Sequence, residues 1–295
     1  MAAGHWVQVA DSLSRAVGRT VRVQRARARG GGCINQGFRV DTDVGAFFVK
    51  LNTAARAQMF EAEAEGLREL GSAAAVRVPR PIASGTDGTR AWLVLEYLPL
   101  AAGGAAEQRE LGCRLAALHR HTGTCFGWTR DNTVGSTPQH NDRSEDWPAF
   151  WRERRLRVQL ELAARNGYGG RLQETGDRLL DGLGAFFRSY SPVPSLLHGD
   201  LWGGNVGFAA GREPVIFDPA VYYGDRETDL AMTELFGGFS AAFYSGYAQA
   251  WPLDAGYARR RDLYNLYHVL NHLNLFGGGY LEQAQRMIDR LLQFD

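Results

Sequence analysis

The hydrophobic pattern changes character along the chain. Residues 21–28 (VRVQRARA) alternate with period two and predict a strand. Residues 30–37 (GGGCINQG) read as a glycine-rich turn. Two further strands, 38–43 and 46–52, are joined by a tight turn at Gly45. From 56 to 70 the apolar positions take a helical period, closed by Gly71. Pro79 and Pro81 break the chain, and the continuous apolar run at 90–98 (RAWLVLEYL) predicts a buried strand. The small residues of 99–107 place a boundary there. It separates a small mixed lobe, residues 1–98, from a mainly helical one, residues 99–295. The second lobe has helical patterns at 107–121, 146–166, 171–189 and 261–276, interrupted by two short apolar runs at 195–201 and 214–220.

Composition narrows the class without naming it. The chain has 295 residues, 45% hydrophobic and 22% charged, which is ordinary for a globular protein with a sizeable core. A net charge of +1 gives no bulk case for nucleic acid or an anionic membrane. The densest basic cluster, Arg152 to Arg157, carries Glu153 and reads as a solvated or ion-paired helix face. Cys33, Cys113 and Cys125 form no metal-binding pair and fit a reducing compartment. The first residues lack a signal-peptide pattern, and no apolar run is long enough to span a membrane. The expectation is a cytoplasmic protein. His268 and His272 are spaced for a metal, but no third ligand matches, so they are expected to pack.

The candidate chemistry begins at 196–205 (LLHGDLWGGN). A strand end delivers His198-Gly199-Asp200, and Asn205 follows five positions after the aspartate. Protein kinases space an aspartate and an asparagine in this way. The aspartate takes the proton of the attacking hydroxyl, and the asparagine holds Mg²⁺. Thirteen positions after Asn205, the apolar run at 214–217 delivers Asp218. A carboxylate and an amide oxygen suit Mg²⁺, which prefers one or two such ligands beside phosphate oxygens and water.

Lys50 is the only lysine in the chain. It ends the third strand of the β–turn–β–β unit, where a kinase-like scheme needs a lysine for the α- and β-phosphates. Arginine's wide fork is a poor replacement for a compact ammonium. At about 100° per residue, Glu63 falls on the same helical arc as Phe60, Leu67 and Leu70, whereas Glu61 and Glu65 fall outside it. An inward carboxylate needs a partner, and Lys50 is the obvious one. The turn containing Gly31, Gly32, Cys33, Ile34 and Asn35 would cover the phosphates with backbone N–H groups. It matches neither the kinase glycine loop nor a Walker A loop. Cys33, inside it, is either a redox-sensitive thiol or a small residue that fits.

No long activation segment follows Asp218, because Asp229 comes only 11 positions later. The acceptor is therefore expected to be a small molecule. Asp229 is expected to cap its helix or brace the catalytic loop, and Asp225 to touch substrate or stabilise its turn.

Together GGGCIN, MFEAEAEGL, DNTVGSTPQHN, DWPAFWRERRL, LLHGDLWGGN, FDPAVYYGDRETDLAM and NLYHVLNHLNLFGG resemble the fructosamine/ketosamine-3-kinase family over nearly the whole chain. That family lies among the aminoglycoside-phosphotransferase-like kinases. The resemblance implies an α+β, bilobal protein-kinase-like fold, with a small β-rich N-lobe and a larger helical C-lobe. It implies ATP with Mg²⁺, and phosphorylation of the 3-hydroxyl of a free or protein-bound ketosamine, a deglycation reaction. Carried over, Asp200 is the base, Asn205 and Asp218 hold the metal, and Lys50 with Glu63 clamps phosphate. The strand end Glu96-Tyr97-Leu98 is the hinge, where the backbone of Glu96 and Leu98 pairs with adenine. Asn132, Gln139 and Asn141 are candidates for substrate hydroxyls or for bracing their loop. Trp202 stacks on a sugar or packs, and His198 braces the loop. The rival readings are an aminoglycoside, choline or homoserine kinase of the same fold, and a nucleotide-binding pseudokinase.

Overall fold

The computed structural model describes residues 4–30 and 34–293. Helix α1 (Gly4–Val17) precedes strands β1 (Val23–Arg29), β2 (Gln36–Thr42) and β3 (Gly45–Thr53), then helix α2 (Ala57–Ser72) and strands β4 (Pro81–Thr86) and β5 (Arg90–Glu96). These strands form one antiparallel sheet in the order β1-β2-β3-β5-β4. Val9 and Leu13 of α1 pack with Val40, Val49, Leu51, Trp92 and Val94 in one core cluster. Side chains alternate across a strand. Val49 and Leu51 therefore fix the face that Lys50 must avoid, and Lys50 points to the other side, where α2 supplies Glu63. The edge strand β1 carries Arg25, Arg27 and Arg29 exposed, a charge pattern that discourages pairing with a further strand.

Beyond β5 come α3 (Ala105–His119), β6 (Asn132–Val134), β7 (Thr137–Gln139), α4 (Trp147–Trp151), α5 (Arg157–Arg165) and α6 (Arg171–Gly182). Then follow β8 (Ser195–Leu197), β9 (Val206–Phe208), β10 (Pro214–Ile216), β11 (Tyr222–Gly224), α7 (Glu227–Leu235), α8 (Ala241–Ala250), α9 (Tyr257–Phe276) and α10 (Leu281–Leu292). The chain forms two compact units. One runs to Glu107 and takes in Gly204–Pro219; the other holds Gln108–Gly203 and everything from Ala220 onward. A single cut at 98/99 does not describe them, because the β9–β10 hairpin joins the first unit. Ile216 N donates to Arg77 O there, and Ala101 exchanges two backbone hydrogen bonds with Phe208.

Several elements escaped the sequence pattern. β4 begins on Pro81, at the first residue of an edge strand, where a missing N–H costs nothing. The helical pattern at 146–166 contains a π-helical turn, Arg152–Leu156. This turn corrects the reading of the arginine cluster. Arg152 and Arg157 pair with Glu153, and Arg154 with Asp142, as a solvated face would. Arg155, however, is wholly buried. Its guanidinium lies 4.2 Å from the ring centre of Tyr222 and 4.6 Å from that of Phe150. It donates to His140 O and Asn141 Oδ1.

Candidate active site

Within the first unit, Lys50 is 4% exposed and its ammonium lies between two carboxylates. Nζ is 2.6 Å from Glu63 Oε1 and 2.5 Å from Asp218 Oδ1. Burial lowers the Lys50 pKa, but Asp218 and Glu63 outweigh it and the net shift is upward, so the ammonium stays charged. Burial pushes Glu63 up to about 7, with Lys50 pulling it down and Asp218 pushing it up. Glu61 and Glu65 are exposed, so the helix phase read from the apolar positions selects the inward acid.

The β9–β10 hairpin brings Asn205 and Asp218 together. Its register pairs Val206 with Ile216, so the residues flanking the pair on either side, Asn205 and Phe217, meet: Phe217 N donates to Asn205 O. Asn205 Nδ2 reaches the Asp218 carbonyl at 3.4 Å. Asp218 has φ +58°, a left-handed conformation uncommon for a residue other than glycine. Such conformations persist where the surroundings over-determine them, often at functional sites. The Asp218 side chain is 41% exposed, against 6% for Lys50 and 9% for Glu63. A carboxylate and an amide beside one another, the carboxylate already holding a cation, form a donor set that fits a small hard metal ion.

Other predicted nucleotide contacts vary in how far the structure defines them. Gly31, Gly32 and Cys33 lie outside the described residues. Ile34 and Asn35 are tied down by Asn52, whose Nδ2 donates to Ile34 O and Asn35 Oδ1. The Glu96 carboxylate takes Arg77 at 2.6 Å, and the Glu96 N–H donates to Arg80 O. That N–H is thus committed within the sheet. Tyr97 lies beneath the Arg39 guanidinium at 4.7 Å, and Leu98 is half-buried.

In the second unit the loop after β8 carries His198-Gly199-Asp200. Asp229 on α7 receives the backbone N–H groups of His198 (2.7 Å) and Gly199 (2.8 Å) and lies 3.2 Å from His119 Nε2. Burial pushes its pKa up, but the hydrogen bond to His119, attraction from the two histidines His119 and His198, and the Gly199 N–H outweigh that and hold it below the usual carboxylate value. Gly199 has φ +82°, and a Cβ there would stand 2.0 Å from Ala220 O. Only glycine fits, which accounts for its place before the aspartate. The Asp200 N–H reaches His198 Nδ1 at 3.3 Å. Trp202 is 37% exposed.

Four polar residues marked as possible substrate contacts turn inward instead. Asp225 is 1% exposed and accepts from Tyr264 OH (2.5 Å), Tyr190 OH (2.9 Å) and Glu227 N. These bonds hold the turn in place, one of the two roles open for it. Its neighbours follow suit. Glu227 makes a two-point pair with Arg260, and Arg226 donates to Tyr247 OH, Trp251 O and Pro252 O. Asn132 donates to Val221 O, and Gln139 donates to Ala220 O and Asn132 Oδ1 while accepting from Tyr267 OH. Asn141 donates to Asn132 Oδ1 and accepts from Arg155. Gln139 and Asn141 are each 1% exposed. The three amides thus brace their loop and grip Ala220–Val221, whose N–H at Ala220 donates to His198 O.

Sequence reasoning missed His119 and Asn52. His119 carries a weak signal, since it falls in helical phase with the apolar Leu111, Leu115 and Leu118. Asn52 carries none.

The antiparallel sheet with its lysine–glutamate pair, and the helical unit with its aspartate-braced loop, define an α+β, protein-kinase-like phosphotransferase fold. The crystal structure of an aminoglycoside phosphotransferase matches it with a TM-score of 0.62 at 15% identity, over 96% of this chain and 98% of that one. The chain belongs to the fructosamine kinase family, whose sequence profile matches residues 5–294. A Synechocystis relative described as "Probable ketoamine kinase" is 46% identical over 98% of this chain and 97% of its own. The Arabidopsis thaliana "Protein-ribulosamine 3-kinase, chloroplastic" is 43% identical over 94% and 85%. A crystal structure titled as a "Putative fructosamine-3-kinase" from Haemophilus somnus superposes with a TM-score of 0.89 at 28% identity, covering 97% of each chain. Among the described residues, no helix is long and apolar enough to cross a membrane.

Proposed function

We propose that this chain is an ATP-dependent kinase that transfers the terminal phosphate of ATP to the 3-hydroxyl of a ketosamine. It would act on sugar–amine adducts as a deglycation enzyme. The observation that carries the reading is the Lys50 ammonium between Glu63 and Asp218, with Asn205 on the same hairpin. The names of the relatives, ketoamine kinase and protein-ribulosamine 3-kinase, support the acceptor.

The roles follow from chemistry. Lys50, charged and held by Glu63, neutralises phosphate. Residues 31–35 cover the phosphates, and Glu96, Tyr97 and Leu98 line the adenine edge, with the Glu96 carbonyl as its acceptor. Asp218 and Asn205 would hold Mg²⁺, which when bound neutralises the developing phosphate charge. Asp200 accepts the proton of the attacking hydroxyl as its oxygen bonds to the γ-phosphorus, while the bond from that phosphorus to the β-phosphate oxygen breaks and ADP leaves. Asp229 and His198 fix the loop that presents it. Transfer is direct, and positioning and charge neutralisation supply most of the acceleration.

The test is phosphate transfer from labelled ATP, with Mg²⁺, to ketosamines of ribulose, erythrulose and fructose beside a panel of aminoglycosides, with the product position read by NMR. The expected product is the ketosamine 3-phosphate. Asp200→Ala should lower turnover by about 10²- to 10⁴-fold while ATP still raises the melting temperature. Transfer to an aminoglycoside and to no ketosamine overturns the acceptor assignment. Wild-type turnover in Asp200→Ala overturns the base.

A further inference from the structure

The second unit exposes an aromatic patch beside the catalytic loop that none of the roles above uses. Phe236, just after α7, is 41% exposed, and Phe276, the last residue of α9, is 53% exposed. Both rest on His272. Ring centres lie 4.7 Å apart for Phe236–His272 and 5.4 Å for His272–Phe276, and Tyr280 closes the third side at 5.2 Å. His272 Nδ1 is 2.8 Å from the His268 carbonyl, which can only accept, so Nδ1 carries the proton and the ring is fixed. Burial lowers the pKa of this imidazole, partly offset by that hydrogen bond, and keeps it neutral. The patch is thus a rigid, uncharged aromatic surface.

Its position gives it meaning. Phe236 is followed by Gly237 and Gly238, and a Cβ placed on Gly238 would stand 2.9 Å from the Gly203 Cα. Gly203 directly follows Trp202 on the loop that bears Asp200. Two residues of chain span at most about 7 Å, so Phe236 lies within that distance of a glycine packed on the catalytic loop. Gly277, Gly278 and Gly279 after Phe276 leave that side without side chains.

We propose that Phe236 and Phe276 form the subsite for the amine arm of the acceptor: the aliphatic stem that carries the sugar-bearing nitrogen, as in a ketosamine built on a lysine side chain. This deepens the function proposed above and rests on its acceptor assignment. A ketosamine has two unlike ends. The polyol end needs hydrogen-bonding partners, which two phenyl rings do not offer. The other end is a protonated nitrogen on methylenes. Methylenes gain from leaving water against an apolar surface, and an ammonium is attracted to a ring face. An uncharged patch raises no repulsion against that ammonium. The enzyme would then distinguish acceptors by what lies beyond the nitrogen as well as by the sugar.

The experiment compares two acceptors with the same sugar, the ketosamine of methylamine and that of Nα-acetyl-lysine, in wild type, Phe236→Ala, Phe276→Ala and the double variant. In wild type the lysine adduct should have the lower KM. In the double variant its KM should rise about ten-fold, the effect of losing partial burial of four methylenes. Its kcat should stay within about two-fold, because the arm is held alike in ground and transition states. The methylamine adduct should change less than about two-fold in both constants, which also shows that the variant is folded. An equal KM rise for both acceptors, or none for either, overturns the subsite. A wild-type enzyme that phosphorylates neither adduct defeats the acceptor assignment itself, and the subsite with it.

Discussion

Replacing Lys50 by methionine keeps the length of the side chain and removes its charge, which isolates what the ammonium does. Glu63, 9% exposed, is left facing Asp218, 41% exposed. Water screens Asp218 but not Glu63. In the wild type, burial pushes Glu63 from its ordinary 4.5 to about 7, with Lys50 pulling the value down and Asp218 pushing it up. Without the ammonium it rises further. An acid whose pKa is raised on folding lends stability that is whole below its unfolded value and is lost as pH climbs through the folded one. In the wild type this loss runs from pH 4.5 to about 7 and stops once Glu63 ionises. In the variant it continues past pH 7 at roughly 1.4 kcal/mol per pH unit. The two proteins should therefore differ little from this source at pH 6. At pH 8 the variant should be worse by an additional ~1 kcal/mol. Urea unfolding midpoints at pH 6, 7 and 8 measure the difference. A penalty that is constant from pH 6 to pH 8 would refute the claim that Glu63 leans on Lys50. The same variant should also lose the rise in melting temperature that ATP gives the wild type.

Other expectations follow from the same geometry. Gly199→Ala sets a Cβ 2.0 Å from a backbone carbonyl at a positive φ, and should cost about 3 kcal/mol or more, read as a fall in Tm against an otherwise matched Gly278→Ala control. Asp218→Asn keeps the shape but removes the charge offered to a cation and leaves Lys50 with Glu63 alone; the Mg²⁺ concentration for half-maximal turnover should rise at least about ten-fold, and an unchanged Mg²⁺ titration would remove Asp218 from the metal site. Chelation by EDTA should abolish turnover reversibly.

Lys50 and Glu63 were legible because chemistry constrained them one by one. A lone lysine at a strand end and a glutamate on an apolar helical arc each demand an explanation, and the explanation is the other residue. Much of the sheet was legible too, since alternation over 21–28, the turn at Gly45 between 38–43 and 46–52, and the apolar run at 90–98 mark four of its five strands. The inward network was not legible. Asn132, Gln139, Asn141 and Asp225 look like a ligand-facing set because burying such groups is costly, yet here the amides bond one another, Asn141 also takes Arg155, and Asp225 takes two tyrosine hydroxyls. Sequence cannot distinguish a polar group waiting for substrate from one already paired inside. Arg155 was misread for the same reason, because most of its compensation comes from the His140 carbonyl, the Asn141 amide and the Tyr222 ring, none of them near it in sequence.

The doubly held ammonium of Lys50 also bears on the order in which ligands arrive. Asp218 is neutralised by Lys50, so the site carries its own counterion. A triphosphate drawing Lys50 away would leave that carboxylate bare beside its own negative charge. A divalent cation entering with the nucleotide relieves both anions at once. Metal-free ATP should accordingly bind far more weakly than the metal complex, and the lysine acts as a latch that yields to the pair and resists either half.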